Sequence, residues 1–299
     1  MCCLPHGFRG GNNPPVDPIA GDSKTLTVSG VSAALRYVPA GSFQRDGTEA
    51  NVSVISKGYW MAETETTQEL FQAVMGTNPS TFDGSPDGTE VQKKRPVERV
   101  SWYDAIAFCN KLSLLDGKEP VYRVNGISDW ANLAYDAIPA AADTNWNAVT
   151  PDLTKNGYRL PTEMEWMWAA MGAEQTVQPN RNGYSKTYAG SEESGTANIG
   201  EYAWYTTNSN SKTHEVGKKT GNELGLQDMS GNVWEWCWDR YGSYPSGEQT
   251  DFTGAASGSY RVLRGGSWYD GASYCTVAAR NNYSPTYRDN VLGFRFACP

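Results

Sequence analysis

From Thr25 onward, apolar and polar residues alternate in short runs: TLTV, ALRYVPAGSF and NVSVISKGYWMAE. A period of two puts the apolar side chains on one face, so these runs predict strands exposed on the other. The period then lengthens. TTQELFQAVMG predicts a helix capped by Thr66, with Glu69 completing a capping box and Gly76 placed to end it. VSWYDAIAFCNKLSLLDG predicts a second, with Ser101 as N-cap, Asp104 in the first turn and Cys109 on the apolar face as a core thiol. RLPTEMEWMWAAMG predicts a third: Pro161 precedes it, Thr162 caps, Glu165 completes the box and Gly172 terminates. Glu163 and Glu165 form an acid pair on paper, but capping and the helix dipole account for both.

Residues 119–157 are rich in Asn, Ala and Asp and predict a long irregular excursion. Beyond Gly172 the pattern is loops and short strands. Few helices, many short strands and long loops indicate an α+β fold with little regular structure. No linker divides residues 25–299, which are expected to form a single domain. Residues 1–24, rich in Pro, Gly and Asn, are expected to be a flexible tether.

Composition narrows the function. The net charge is −8 and there is no basic run, so nucleic acid is excluded as a partner. No apolar run approaches the roughly 20 residues that span a bilayer. The six cysteines form no CxxC pair and only two histidines are present, which excludes a structural zinc site. Isolated bridges or free buried thiols are both open. The opening Met-Cys-Cys fits either a free start with two thiols or a lipoprotein trimmed of its signal peptide, with lipid on Cys2 or Cys3.

Three stretches make physical sense on their own. In GLQDMSGNVWEWCWDRYG, Gly231 permits a tight turn while Trp234 and Trp236 share one face. In RVLRGGSW, Arg264 precedes two glycines that allow close backbone approach. In LGFRF, Arg295 faces away from Phe294 and Phe296, and its burial requires a carboxylate partner. Taken with RPVERVSWYDAIAFCNKL and RLPTEMEWMWAAMG, which precede them in that order, they resemble the formylglycine-generating-enzyme (sulfatase-modifying factor) family from about residue 35 to the end. The resemblance implies a loop-rich C-type lectin-like architecture.

The family's thiol oxidase chemistry uses two cysteines after the GGS motif, suited to Cu(I). Here that stretch reads GGSWYDGASYC: Cys275 matches the second cysteine, and Asp270 stands at the first. The resemblance therefore implies a chain without formylglycine-generating activity, the alternative being a repurposed thiol oxidase or other enzyme of that family using Cys275. A Ser–His–Asp site has no support, and Glu235 with Asp239 is a bare carboxylate pair. No cofactor is required. The family's calcium ligands map onto Asp228 and Glu235 by side chain and onto Ser230, Gly231 and Val233 by backbone. Asn198 and Ile199 match a second calcium site whose surroundings depart from the family. Pairing of Glu235 with an arginine is the alternative to a metal.

WYDGASYCTVAARNNYSPTYRDNV, residues 268–291, resembles the variable region of proteins diversified by retroelements, a non-enzymatic branch on the same fold. There, adenine-rich codons ending in C are mutated only at adenine and cannot encode Lys, Glu, Gln, Met or Trp. These five types make up 54 of the 299 residues, so 23 residues should contain about four, yet 269–291 contain none. The positions expected to vary and to bind ligand are Tyr269, Asp270, Gly271, Ser273, Tyr274, Ala279, Asn281, Asn282, Tyr283, Ser284, Thr286, Tyr287, Asp289, Asn290 and Val291. Cys275, Arg280, Pro285 and Arg288 are expected to be fixed and to hold the backbone. Tyr with small polar residues is a paratope composition. The expectation is a ligand-binding lipoprotein at the cell surface or outer membrane, its partner a protein or other macromolecule.

Overall fold

The computed structural model describes residues 17–174, 180, 186–191 and 198–299; Cys2, Cys3 and most of the expected tether lie outside these. The chain opens with strands β1 (Ser23–Val28), β2 (Val31–Val38), β3 (Gly41–Gln44), β4 (Val52–Ile55) and β5 (Tyr59–Ala62). Helices α1 (Gln68–Met75) and α2 (Trp102–Leu115) follow. The excursion holds β6 (Tyr122–Arg123), α3 (Thr144–Asn147) and β7 (Thr150–Pro151), and α4 (Glu163–Ala170) and α5 (Ile199–Tyr202) come next. The last strands are β8 (Trp234–Arg240), β9 (Gln249–Thr250), β10 (Arg261–Arg264), β11 (Arg280–Tyr283), β12 (Leu292–Gly293) and β13 (Ala297–Cys298).

Two four-stranded sheets organise the molecule, ordered β1-β2-β5-β13 and β11-β10-β8-β12. The final strand therefore closes the sheet built by the first residues, while β12, just before it, pairs in parallel with β8. One apolar cluster gathers α1, α2, Trp234, Trp236, Phe294 and Phe296; another gathers α4, Met229, Cys237 and Val262. Trp234 and Trp236 join the first cluster and Cys237 the second, so the two indoles share a face of β8 although both faces are buried. Their indole N–H groups still find partners, as burial demands; Trp236 donates to Val100 C=O at 2.9 Å.

Capping was largely legible. Ser101–Asp104 and Thr162–Glu165 form full capping boxes, and Gly76 ends α1 at φ 80°. One assignment is corrected. Thr67 caps α1, its hydroxyl accepting from Leu70 N–H at 3.3 Å, because Thr66 is pinned one residue earlier. Thr66 N–H donates to Phe294 C=O and its own carbonyl accepts from Val97 N–H, so it belongs to the inter-element backbone. Glu69, displaced from the box, pairs with Lys93 at 2.8 Å. The four described cysteines Cys109, Cys237, Cys275 and Cys298 are free and buried.

Candidate binding face

The segment 268–291 leaves the end of β10 and returns to the start of β12, crossing the edge of the second sheet as β11. Gly265 and Gly266 launch it at φ 97° and 79°. A Cβ at Gly266 would sit 2.8 Å from Cys275 Sγ and 2.7 Å from Tyr274 C=O, so only glycine lets the two passes of chain close up. Trp268 is buried at the root, its indole N–H donating to Asn290 C=O at 2.9 Å. The two ends of the loop are thereby tied together.

Every one of the fifteen positions expected to vary is exposed or partly exposed, and none is buried. Tyr269, Tyr274, Tyr283 and Tyr287 are 69%, 54%, 37% and 40% exposed, unusual for side chains with this much apolar area. The residues between them behave differently. Cys275 and Pro285 are buried. Arg280 makes a bidentate pair with Glu163, Nε to Oε1 at 2.6 Å and Nη2 to Oε2 at 2.8 Å. Arg288 does the same with Asp104, at 2.7 and 2.8 Å. Both carboxylates stand in the first turn of a helix, α4 and α2, where the dipole also favours negative charge. Forked, charge-assisted pairs of this kind fix direction as well as distance.

The scaffold also holds the segment by its backbone. Trp102 N–H, at the start of α2, donates to Pro285 C=O at 3.0 Å, and Arg99 N–H to Asp289 C=O at 2.9 Å. Trp234 N–H donates to Val291 C=O at 2.8 Å, and Arg264 Nη1 to Ala279 C=O at 2.7 Å. Such bonds do not depend on which side chain the accepting residue carries.

Asp104 and Glu163 were not read from the sequence as supports of this face. Glu163 does lie in the first turn of α4, as expected of a dipole partner. At 1% exposure, however, it is also a hub, 2.9 Å from Arg264 as well as paired with Arg280. Asp270 and Val291 are less free than the other positions. Trp234 Nε1 donates to Asp270 Oδ2 at 2.9 Å, Ser267 hydroxyl donates to the same oxygen, and Thr206 N–H takes its carbonyl at 3.0 Å. Val291 packs partly buried against the core.

Cys275 sits beneath the segment, its thiol pushed up to about 12 by burial first and by Asp270 second. A thiol held neutral at physiological pH is a poor nucleophile and a poor metal ligand. Burial likewise raises Cys109 and Cys237.

Of the residues expected to hold calcium, Glu235 is engaged by an arginine. Both oxygens of Glu235 go to Arg295, Nε to Oε2 at 2.7 Å and Nη2 to Oε1 at 2.8 Å, and Trp166 Nε1 adds a bond at 2.7 Å. This is the carboxylate that a buried Arg295 required. Asp228 does fit a cation: it is buried, Oδ2 accepts from Gly217 N–H, and Oδ1 has no hydrogen-bond partner. Asn198 uses its side-chain oxygen to cap α5 through Gly200 N–H at 3.1 Å. Among the described residues no three His, Cys, Asp or Glu side chains cluster to hold a metal. A cleft of about 280 Å³ lined by Tyr59, Tyr122, Leu153, Arg159 and Trp238 contains no residue of 269–291, so the tyrosine face is no part of that cleft.

Comparison with known proteins places this geometry. The family model described as "Sulfatase-modifying factor enzyme 1-like domain" matches residues 24–298. The solved structure of Treponema denticola variable protein 1 is 45% identical, superposes with a TM-score of 0.83, and covers 92% of this chain and 98% of its own. Chaperone protein LppX of Paenibacillus barcinonensis is 32% identical over 281 residues, 88% of this chain and 87% of its own. The formylglycine-generating enzyme of Streptomyces coelicolor is 34% identical over 167 residues, about half of each chain. The fold is thus the loop-rich C-type lectin-like one that the motifs implied.

Proposed function

Because the chain belongs to the family of the sulfatase-modifying factor enzyme 1-like domain, we propose that it keeps that family's scaffold without its chemistry. It is a ligand-binding protein displayed at the cell surface, carried there by lipid on Cys2 or Cys3. Its binding face is 269–291, rewritten by adenine-directed retroelement mutagenesis so that specificity changes while the fold stays. One observation carries this reading: within a single segment, none of the residues expected to vary is buried and only Asp270 and Val291 turn toward the protein, while those expected to be fixed are buried or clamped to Glu163 and Asp104. The same segment lacks the five residue types such mutagenesis cannot write. Likeness to a variable protein and to a protein named a chaperone supports a non-catalytic role. Asp270 in place of the first cysteine, and a buried, neutral Cys275, argue against an oxidase.

Two measurements test it. The neighbouring DNA is expected to contain a reverse transcriptase gene and an adenine-rich near-copy of codons 269–291. A library randomised at the exposed positions of 269–291, selected on a fixed target such as lysozyme, is expected to yield folded binders. Absence of both genetic elements, together with copper-dependent thiol oxidation that Cys275→Ser abolishes, would overturn the reading in favour of a repurposed enzyme.

Calcium is a second, smaller proposal. Asp228, with backbone carbonyls of Ser230, Gly231 and Val233, would hold it as a structural cation, while Glu235 serves Arg295. The unpartnered buried Oδ1 of Asp228 favours this.

A further inference from the structure

The charges of 269–291 are almost all spent inside the protein. Arg280 and Arg288 belong to Glu163 and Asp104, and Asp270 belongs to Trp234 and Ser267. Facing outward, with Gly271, Ser273 and Ala278 between them, are four tyrosines and the carboxylate of Asp289. Tyr283 and Tyr287 stack on each other, ring centroids 4.6 Å apart and planes inclined by 30°. The Tyr287 hydroxyl donates to Asp289 Oδ2 at 2.8 Å, and Asn290 N–H to Oδ1 at 2.7 Å. Arg99 gives its backbone N–H to Asp289 C=O, but no ion pair joins its guanidinium to the carboxylate.

The protein builds the same set of groups once more, below the surface, and there it is complete. Glu163 accepts from the Tyr244 hydroxyl at 3.0 Å, and the Arg280 guanidinium lies 3.9 Å over the Tyr244 ring and 4.6 Å over the Tyr241 ring while forking onto Glu163. Two tyrosines, a carboxylate bonded to one of their hydroxyls, and an arginine stacked and forked at once make up that unit. On the face, Tyr283, Tyr287 and Asp289 repeat the first three members.

We propose that Tyr283, Tyr287 and Asp289 form a subsite for an arginine side chain presented by a protein ligand. The inference rests on the reading of 269–291 as the binding face and adds the chemistry that this version of the face selects. A planar guanidinium can lie on the electron-rich face of a phenol ring while its edge N–H groups reach a carboxylate; an ammonium satisfies one requirement at a time. Exposed charge pairs contribute little in water, so the subsite gains strength only as the ligand covers it and excludes solvent. The protein's net charge of −8 draws basic partners toward it.

The test uses end-blocked Gly-Ser-Arg-Arg-Ser-Gly and its lysine and glutamate counterparts, titrated into the ¹⁵N-labelled protein at low salt. The arginine peptide is expected to shift the amide signals of Tyr283, Tyr287 and Asp289, to bind several-fold tighter than the lysine peptide, and to leave the glutamate peptide without effect. Asp289→Asn and Tyr287→Leu should each weaken it at least fivefold with an unchanged melting temperature. Equal binding by Asp289→Asn, or shifts confined to other surfaces, overturns the subsite. The library selection separates the two levels: binders obtained there, with the arginine peptide indifferent to Asp289, overturn the subsite alone. Failure to obtain any binder overturns the face and the subsite together.

Discussion

Arg280 Nε lies 2.6 Å from Glu163 Oε1 across 117 residues of sequence, joining the edge strand β11 to the first turn of α4. Glu163 is 1% exposed and also faces Arg264, so two guanidiniums depend on one carboxylate. Removing one partner of such a group strands charge in a low-dielectric interior. Glu163→Gln is therefore expected to destabilise the protein by about 3–5 kcal/mol, read from chemical denaturation. Arg280→Gln, at a partly exposed position, should cost less and act locally, through faster hydrogen exchange in 280–291.

The exposed tyrosines should behave in the opposite way. Tyr269→Ser, Tyr274→Ser and Tyr287→Ser are each expected to change stability by no more than about 0.5 kcal/mol, because they leave water on one side and no cavity on the other. Their cost should appear in ligand binding. Denaturation and binding measured on the same variants would separate the two, and a large loss of stability would mean these rings serve the fold.

Stability should rise on mild acidification. Burial raises Glu98 to about 7, above its unfolded value. The fold thus favours its protonated form. That contribution is fully present below about pH 4 and is lost as pH climbs through 7. Urea midpoints should fall between pH 5 and pH 8, and Glu98→Gln should flatten the slope. A midpoint that rises over this range would contradict the assignment.

The thiols should be silent in the folded state. With Cys275 pushed up to about 12 and all four described cysteines buried, a thiol reagent at pH 8 is expected to label none of them until denaturant is added. Rapid labelling of Cys275 in the native protein would restore the oxidase reading.

If calcium binds at Asp228, millimolar calcium should raise the melting temperature relative to chelator, and Asp228→Asn should remove that difference. An identical melting curve with calcium and with chelator would dismiss the site.

Local chemistry made much of this protein readable in one dimension. Caps at Ser101 and Thr162, the stop at Gly76 and the buried indole pair all follow from interactions within a few residues, whose geometry the sequence spacing already contains. The cap at Thr67 was missed because its rival, Thr66, is held by Phe294 and Val97, partners that only the folded chain brings near. Arg295's need for a carboxylate was likewise legible, and so was an arginine partner for Glu235 as the alternative to a metal, but that these two residues answer each other shows only in the folded chain.

The sequence by itself determined which side chains 269–291 carry, which residue types they avoid, and that a rigid element follows at LGFRF. Tertiary structure alone decided that Glu163 and Asp104 clamp Arg280 and Arg288, and that Asp270 turns inward to Trp234. It also decided that Tyr283, Tyr287 and Asp289 stand together at the surface. The reason is one of range. Caps and alternation are set by the backbone's own period, whereas an ion pair across 117 or 184 residues exists only after the sheets and helices have closed around it.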